Sequence, residues 1–216
     1  MTTNHKPVIL LGAGGHSRVL RSLLSIQERS ILAVLDDNPD LHGKRIGHTG
    51  LTIAAALDAV RQHDPNDVEL VNAIGSTHRP TARRAVYETF TAKGYTFATL
   101  IHHHATTACE AFIEPSAQLM AGCTIQAGAQ ILANTLINTH ASIDHDTTVG
   151  EHTHVAPGVT ICGNVTIGQA CHIGAGATIV QGITIGDSVV VGAGATVLRD
   201  VPDTQTVLGT PARPIA

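Results

Sequence analysis

The stretch INTHASIDHDTTVGEHTHVAPGVTI, residues 137–161, carries an aliphatic residue at every sixth position: Ile137, Ile143, Val149, Val155 and Ile161. Followed outward, the period runs without an insertion from Ile113 to Val197. Four residues after each aliphatic stands a small or β-branched one, as at Ala141, Thr147, Thr153, Val159 and Val165. Glycine often follows the aliphatic directly, as at Gly150, Gly168, Gly174, Gly186 and Gly192. A period of six fits neither an amphipathic helix nor a half-buried hairpin strand, and it is the signature of a hexapeptide β-helix.

Three hexads close one turn, which stacks residues roughly 18 apart at the strand spacing of about 4.8 Å. The aliphatics and their small partners then point inward, and the second and third residues after each aliphatic form the corners of a triangular prism. One corner stacks Pro157-Gly158, Ala175-Gly176 and Ala193-Gly194, a ridge against which an extended ligand can lie close to backbone. A second corner stacks Ala127-Gly128, His145-Asp146, Gly163-Asn164 and Gln181-Gly182. His145 is therefore expected beside an open notch at Gly163 with a free backbone amide, the surroundings a general base needs next to a bound carbonyl. His154 falls on an outward face half a turn later, so a site shared by His145 and His154 requires two chains.

Composition points the same way. Aromatic residues make up 2% of the 216 residues and Trp is absent, whereas hydrophobic residues reach 43% and there are 21 glycines. A core of small and β-branched side chains in a regular geometry is implied. The net charge of -4 and the pI near 6.4 supply no basic surface for nucleic acid. No run approaches the length of a membrane span, and a cytoplasmic location is expected. Cys109, Cys123, Cys162 and Cys171 lack CxxC spacing and read as reduced packing residues.

Residues 1–100 are organised differently. PVILLGAGGHS is an apolar run broken by glycines and followed by the helical pattern Val19, Leu20, Leu23, Leu24: a strand, tight turn and helix. ILAVLDD, VELVNAIGS and YTFATLI read as further strands, with TARRAVYETFTAKG as a helix between the last two. Alternating strands and helices predict a small Rossmann-like parallel sheet whose ligand sits at the carboxyl ends of the strands. Gly12, Gly14 and the amides of the next helix can hold a phosphate, and Asp36 or Asp37 can bond ribose hydroxyls. Ser17 replaces the third glycine of a dinucleotide fingerprint, which favours a nucleotide or nucleotide-sugar over bound NAD. The expected architecture is thus an α/β nucleotide-sugar-binding domain over 1–100, then a left-handed parallel β-helix over 101–216 that ends in a short tail.

Taken together, the hexads, DHD at 144–146, the GAGGHS turn, the LDD strand end and the closing GTPARPI resemble a family of bacterial sugar acyltransferases. Its types are the sialic acid O-acetyltransferases and the UDP-4-amino-sugar N-acetyltransferases. The resemblance spans residues 7–215. It implies a homotrimer with acetyl-CoA between adjacent β-helices and a nucleotide-sugar held by the N-terminal domain. It further implies His145 as catalytic base, Asp146 as its orienter, His154 near the acetyl group and Gly163 as a backbone contact beside the thioester. Gly176 and Gly194 extend the donor site along the ridge. Gly14, Gly15, His16, Asp36 and Asp37 match nucleotide-sugar contacts, and Asn138 lies near the sugar. Two departures bear on the sugar: Gly14 stands where amino-sugar members often carry a hydroxyl residue, and the family's arginine is Arg79, Arg83 or Arg84.

The expected activity is N-acetylation of a UDP-linked 4-amino-deoxy sugar, without a metal. O-acetylation of a sialic-acid-like sugar is the alternative, since one base serves amine or hydroxyl. A more distant alternative is zinc chemistry: His104 and His140 stand two turns apart and His145 five residues further on, spacing like that of the zinc histidines of trimeric β-helix carbonic anhydrases. A catalytically silent trimeric scaffold or sugar-nucleotide sensor is a third class, distinguished by failure to bind CoA. His140, His152 and His172 read as surface polar residues, although His172 stacks one coil above His154 and can touch the same cofactor.

Overall fold

The computed structural model describes residues 5–46, 50–76 and 78–215. The chain divides into two compact units, Met1–Gly75 with Ala85–Ala98, and Ser76–Arg84 with Thr99–Ala216.

In the first unit β1 (Val8–Leu11), β2 (Ile31–Leu35) and β3 (Glu69–Asn72) form a parallel sheet in the order β2-β1-β3. The central β1 is a continuous apolar run, and all four of its residues are buried, as a strand covered on both faces must be. Helix α1 (Gly15–Ile26) follows β1 and buries Leu20, Leu23 and Leu24; α2 (Thr81–Thr91) follows β3. The fourth strand expected over YTFATLI does not form as one element. Phe97 makes a single bridge to Leu70, whereas Leu100–Ile101 pairs with Gln118–Leu119 in the second unit. The hexad phase explains this, because Ile101 and Thr107 continue the six-residue series backward from Ile113 with a polar residue at one step. His104, which stands before the unbroken series that begins at Ile113, accordingly lies in the first coil, where its carbonyl accepts the Gly122 amide.

The second unit is a parallel β-helix of about six turns. Its two-residue rungs stack into sheets of eight, six and five strands, and most successive rungs lie 18 residues apart, as in Leu136 with His154 and Ser142 with Thr160. The last turn is shorter: Val191 pairs with Val207 and Ile185 bridges Val201. Inside, the aliphatics from Ile125 to Val197 are buried, as are their partners Ala129, Ala141, Val159, Val165, Cys171 and Ala177. Each side of a coil thus contributes one aliphatic and one small or β-branched residue, which leaves no room for aromatic rings. Thr135, Thr147 and Thr153 are also buried, and their hydroxyls donate to the carbonyls of Gly150, Cys162 and Gly168 in the following coil. Those polar groups are satisfied at the coil spacing, so threonine costs the core little. Burial pushes the Cys123 and Cys171 thiols up to about 11, which fits packing rather than chemistry.

The three outer faces differ. Thr160 and Thr166 stand exposed on the six- and five-stranded sheets, but Leu136, His154 and His172 on the eight-stranded sheet are buried. Ser76, Arg79 and Arg83 lie along the buried side. Arg79 donates from Nε to the Ser188 carbonyl at 3.2 Å and from Nη2 to the Thr204 carbonyl, and Arg83 donates from Nε to the Asn134 carbonyl at 3.3 Å. Two of the three candidate arginines therefore fasten to this side. Burial pushes the Arg83 guanidinium down to about 9, while Arg84 is half-buried. Among the described residues no helix is long and apolar enough to cross a membrane.

Candidate active site

His145 and Asp146 form the turn between a rung of the six-stranded and a rung of the five-stranded sheet, with Asp146 at φ 57°. Short polar side chains tolerate this left-handed region, so the hexad corner accepts an aspartate. The Asp146 carboxylate lies 2.9 Å from His145 Nδ1. Asp144, the rival partner, instead accepts the His145 backbone amide at 2.8 Å. The bond to Asp146 is the main cause that raises the His145 pKa above its ordinary value; the fields of Asp144 and Asp146 add to it and desolvation opposes it. With Nδ1 committed to a carboxylate, the neutral imidazole keeps its lone pair on Nε2, as a general base requires.

The open notch expected at Gly163 is filled. A Cβ on Gly163 would come within 2.4 Å of His145 Nε2 and 2.6 Å of Cε1, so the imidazole lies across the glycine and buries it. The ring settles there because the glycine in the next coil presents no side chain. The Gly163 carbonyl accepts the Gly182 amide, but among the described residues no hydrogen bond from the Gly163 N–H is found. Asp146 leans the other way, where a Cβ on Gly128 would meet its Oδ1 at 2.5 Å.

The glycine ridge lies at the corner between the eight- and six-stranded sheets. Gly158, Gly176 and Gly194 have φ of 68°, 68° and 66°, and a Cβ on any of them would meet open space. His154 and His172 occupy consecutive rungs of the eight-stranded sheet and lead directly into the ridge corners at Gly158 and Gly176. Both point outward as the period requires, yet they are only 5% and 7% exposed. The surface placement expected of His172 is thus overturned, because Ser76 lies on both rings. Burial and the neighbouring His78 push the His172 pKa down. His152 is buried too, with Nδ1 3.0 Å from the Asn134 amide nitrogen; His140 alone of the three is exposed. Ser76 carried no signal in the repeat, since it lies in a segment outside it.

His145 and His154 stand on opposite sides of the prism: the His145 corner joins the two sheets that do not contain His154. Asn138 is close to His154, with its amide nitrogen 3.2 Å from Nε2. The zinc reading finds no support in one chain. The His140 ring lies on Gly122 one coil below, His145 lies on Gly163 one coil above, and among the described residues no group of three His, Cys, Asp or Glu is placed to hold a metal ion.

In the first unit the remaining candidates gather at the carboxyl edge of the sheet. Gly12 needs to be glycine, with φ 112° and a Cβ position 3.1 Å from the Ala73 backbone. Gly14 and Gly15 do not, since a Cβ there meets nothing and their φ is ordinary. Gly14 caps α1 with no side-chain bond to the helix amides. Asp36 accepts the Ala13 amide at 2.8 Å and the Asn38 amide at 2.9 Å, and Asp37 accepts the Leu57 amide at 2.9 Å. Both carboxylates shape their own loops, a use that the ribose reading did not include. His16 packs beside Gly75.

Residues 7–90 match the PglD N-terminal domain, and residues 164–199 match the bacterial transferase hexapeptide of six repeats. The acetyltransferase domain of PglB from Neisseria gonorrhoeae shares 30% identity with the chain at a TM-score of 0.88, over 98% of this chain and 100% of that one. The chain belongs to the bacterial hexapeptide-repeat sugar acyltransferases. The same PglB domain in complex with acetyl coenzyme A matches with TM-score 0.87, again at 30% identity over 98% and 100% of the two chains. PerB from Caulobacter crescentus, in complex with CoA and GDP-perosamine, matches with TM-score 0.88 at 28% identity over 97% of each chain. No curated protein matches the chain in sequence. Within this family the acyltransferase keeps both parts, a PglD-type sheet and a hexapeptide β-helix.

Proposed function

We propose that this acetyl-CoA-dependent sugar acetyltransferase transfers its acetyl group to the amine of a nucleotide-linked 4-amino-deoxy sugar. The observation that carries the proposal is the His145 imidazole, bound through Nδ1 to Asp146 and laid across Gly163. In this reading His145 Nε2 takes the proton as the sugar nitrogen attacks the thioester carbonyl carbon. The Gly163 N–H steadies the oxyanion of the tetrahedral intermediate, the C–S bond breaks, and the imidazolium returns the proton to the CoA thiolate. No step calls on a metal.

The donor lies along Gly176 and Gly194 next to His154. Because that ridge and His145 belong to different sides of the prism, each site is completed by a second copy, which supports a homotrimer with sites between subunits. The nucleotide-sugar sits at Gly14, Gly15, His16, Asp36 and Asp37. Gly14 and Gly15 leave open space over the first amides of α1, which suits a diphosphate. The resemblance implies UDP as the nucleotide, whereas the PerB complex holds GDP-perosamine. O-acetylation of a sialic-acid-like sugar is the second reading, favoured by Gly14 in place of a hydroxyl residue.

The test is thiol release from acetyl-CoA with UDP-, GDP- and dTDP-linked 4-amino sugars and free sialic acids. Release with a nucleotide amino sugar is expected. Release only with sialic acid would select the second reading, and none with any acceptor would sink both.

A variant checks the donor groove. Gly176→Phe is expected to raise the KM for acetyl-CoA about tenfold or more, with a modest change in Tm. The fold already holds Ala170 at φ 53° in an equivalent corner, so the left-handed backbone alone is affordable. An unchanged KM would move the donor off this ridge.

A further inference from the structure

The Ser76 hydroxyl lies between two buried imidazoles, 2.9 Å from His154 Nδ1 and 3.4 Å from His172 Nδ1, and the Ser76 carbonyl is 3.1 Å from His154 Nδ1. The ring centroids of His154 and His172 are 5.0 Å apart, edge to face. The proton positions follow from groups whose roles are fixed. Asn138 Oδ1 accepts the Thr139 amide at 2.8 Å and the Thr139 hydroxyl at 3.3 Å, which turns its amide nitrogen toward His154 Nε2. An amide nitrogen only donates, so His154 Nε2 accepts and Nδ1 carries the hydrogen. The carbonyl facing Nδ1 only accepts, which requires the same tautomer independently. The Ser76 hydroxyl oxygen therefore receives from His154, and its own hydrogen goes to His172 Nδ1. His172 is left with its hydrogen on Nε2, the ring edge turned away from Ser76.

We propose that Ser76 is a positioning residue that sets His154 and His172 in opposite tautomers, so that His172 offers Nε2–H to a carbonyl oxygen of the pantetheine arm. His172 leads into the corner formed by Ala175 and Gly176, on the donor ridge. This rests on the reading of that ridge as the donor groove. It gives His154 and His172 distinct tasks: the His154 lone pair stays with Asn138, and the donor contact falls to His172. Ser76 acts through the two rings.

The experiment uses the full chain labelled with ¹⁵N in histidine, and long-range ¹H–¹⁵N spectra of the wild type, Ser76→Ala and Ser76→Thr. In the wild type His154 is expected to carry its hydrogen on Nδ1 and His172 on Nε2. Ser76→Ala is expected to turn His172 into a mixture of tautomers and to raise the KM for acetyl-CoA about three- to tenfold, the worth of one hydrogen bond, with the KM for the acceptor unchanged. Ser76→Thr keeps the hydroxyl and is expected to restore both readouts, which separates positioning from loss of fold. The same tautomer on both rings in the wild type, or unchanged spectra and KM in Ser76→Ala, would overturn the proposal. Opposed tautomers in a wild type that releases no thiol from acetyl-CoA would leave the setting by Ser76 standing and remove the donor-groove reading instead.

Discussion

Replacing His145 by alanine is expected to lower kcat by about 10² to 10⁴, the range for loss of a general base, while the affinity for CoA is largely kept. The side chain is half exposed and supports no part of the core, so the Tm should hardly move. Loss of activity together with fold would indicate a structural role, and near-normal turnover would remove His145 from the mechanism. The pH profile gives a second reading. His145 works as a base only when neutral, so kcat/KM should rise with pH through its pKa, and the bond to Asp146 places that inflection above the ordinary histidine value. Asp146→Asn removes the charge that favours the imidazolium. The inflection should then move to lower pH, with kcat down about tenfold or more because the amide no longer enforces the tautomer. An unmoved inflection would mean that the titrating group lies elsewhere.

Gly163→Ala is expected to cost nearly as much activity as removing the base, about 10² in kcat, at little cost in stability. The φ of Gly163 is ordinary, so the backbone accepts a Cβ, but that Cβ would fall 2.4 Å from His145 Nε2 and 2.9 Å from Cδ2. The atoms it meets belong to an exposed ring, which can swing into solvent cheaply. Doing so breaks the geometry toward the substrate, and a displacement of about 1 Å already costs on the order of 10² in rate. Thermal unfolding and single-turnover kinetics measured on one sample check this. Gly174→Ala is the contrast, since its Cβ would lie 2.5 Å from the Ala193 amide nitrogen and 2.6 Å from the Val191 carbonyl. Backbone cannot swing away, so that variant should lose stability by about 1–3 kcal/mol.

The β-helix was legible because its period is a local property. An aliphatic at each sixth residue and a small partner four later meet the same surroundings in every coil, and the pairing of Leu136 with His154 or Ser142 with Thr160 follows from counting. His145, Asp146, Gly163 and the ridge glycines took their corners from the same count. The strand expected over YTFATLI went astray because one hexad carries Thr107 instead of an aliphatic, which hid the start of the repeat.

What tertiary structure alone decided lies outside that period. Counting says that His154 and His172 face outward; it does not say what covers them, because Ser76 reaches both rings from 78 and 96 residues away in sequence. Counting puts a glycine above His145 but leaves open whether a ligand or the imidazole fills the space, since that depends on a side-chain torsion. Asp36 and Asp37 look alike in LDD, yet one holds the Ala13 amide and the other the Leu57 amide. The sequence by itself determined the fold and which residues share a corner, because backbone hydrogen bonds repeat with the chain. The tertiary structure decided which polar atoms are already engaged, because those bonds join segments that no local pattern relates.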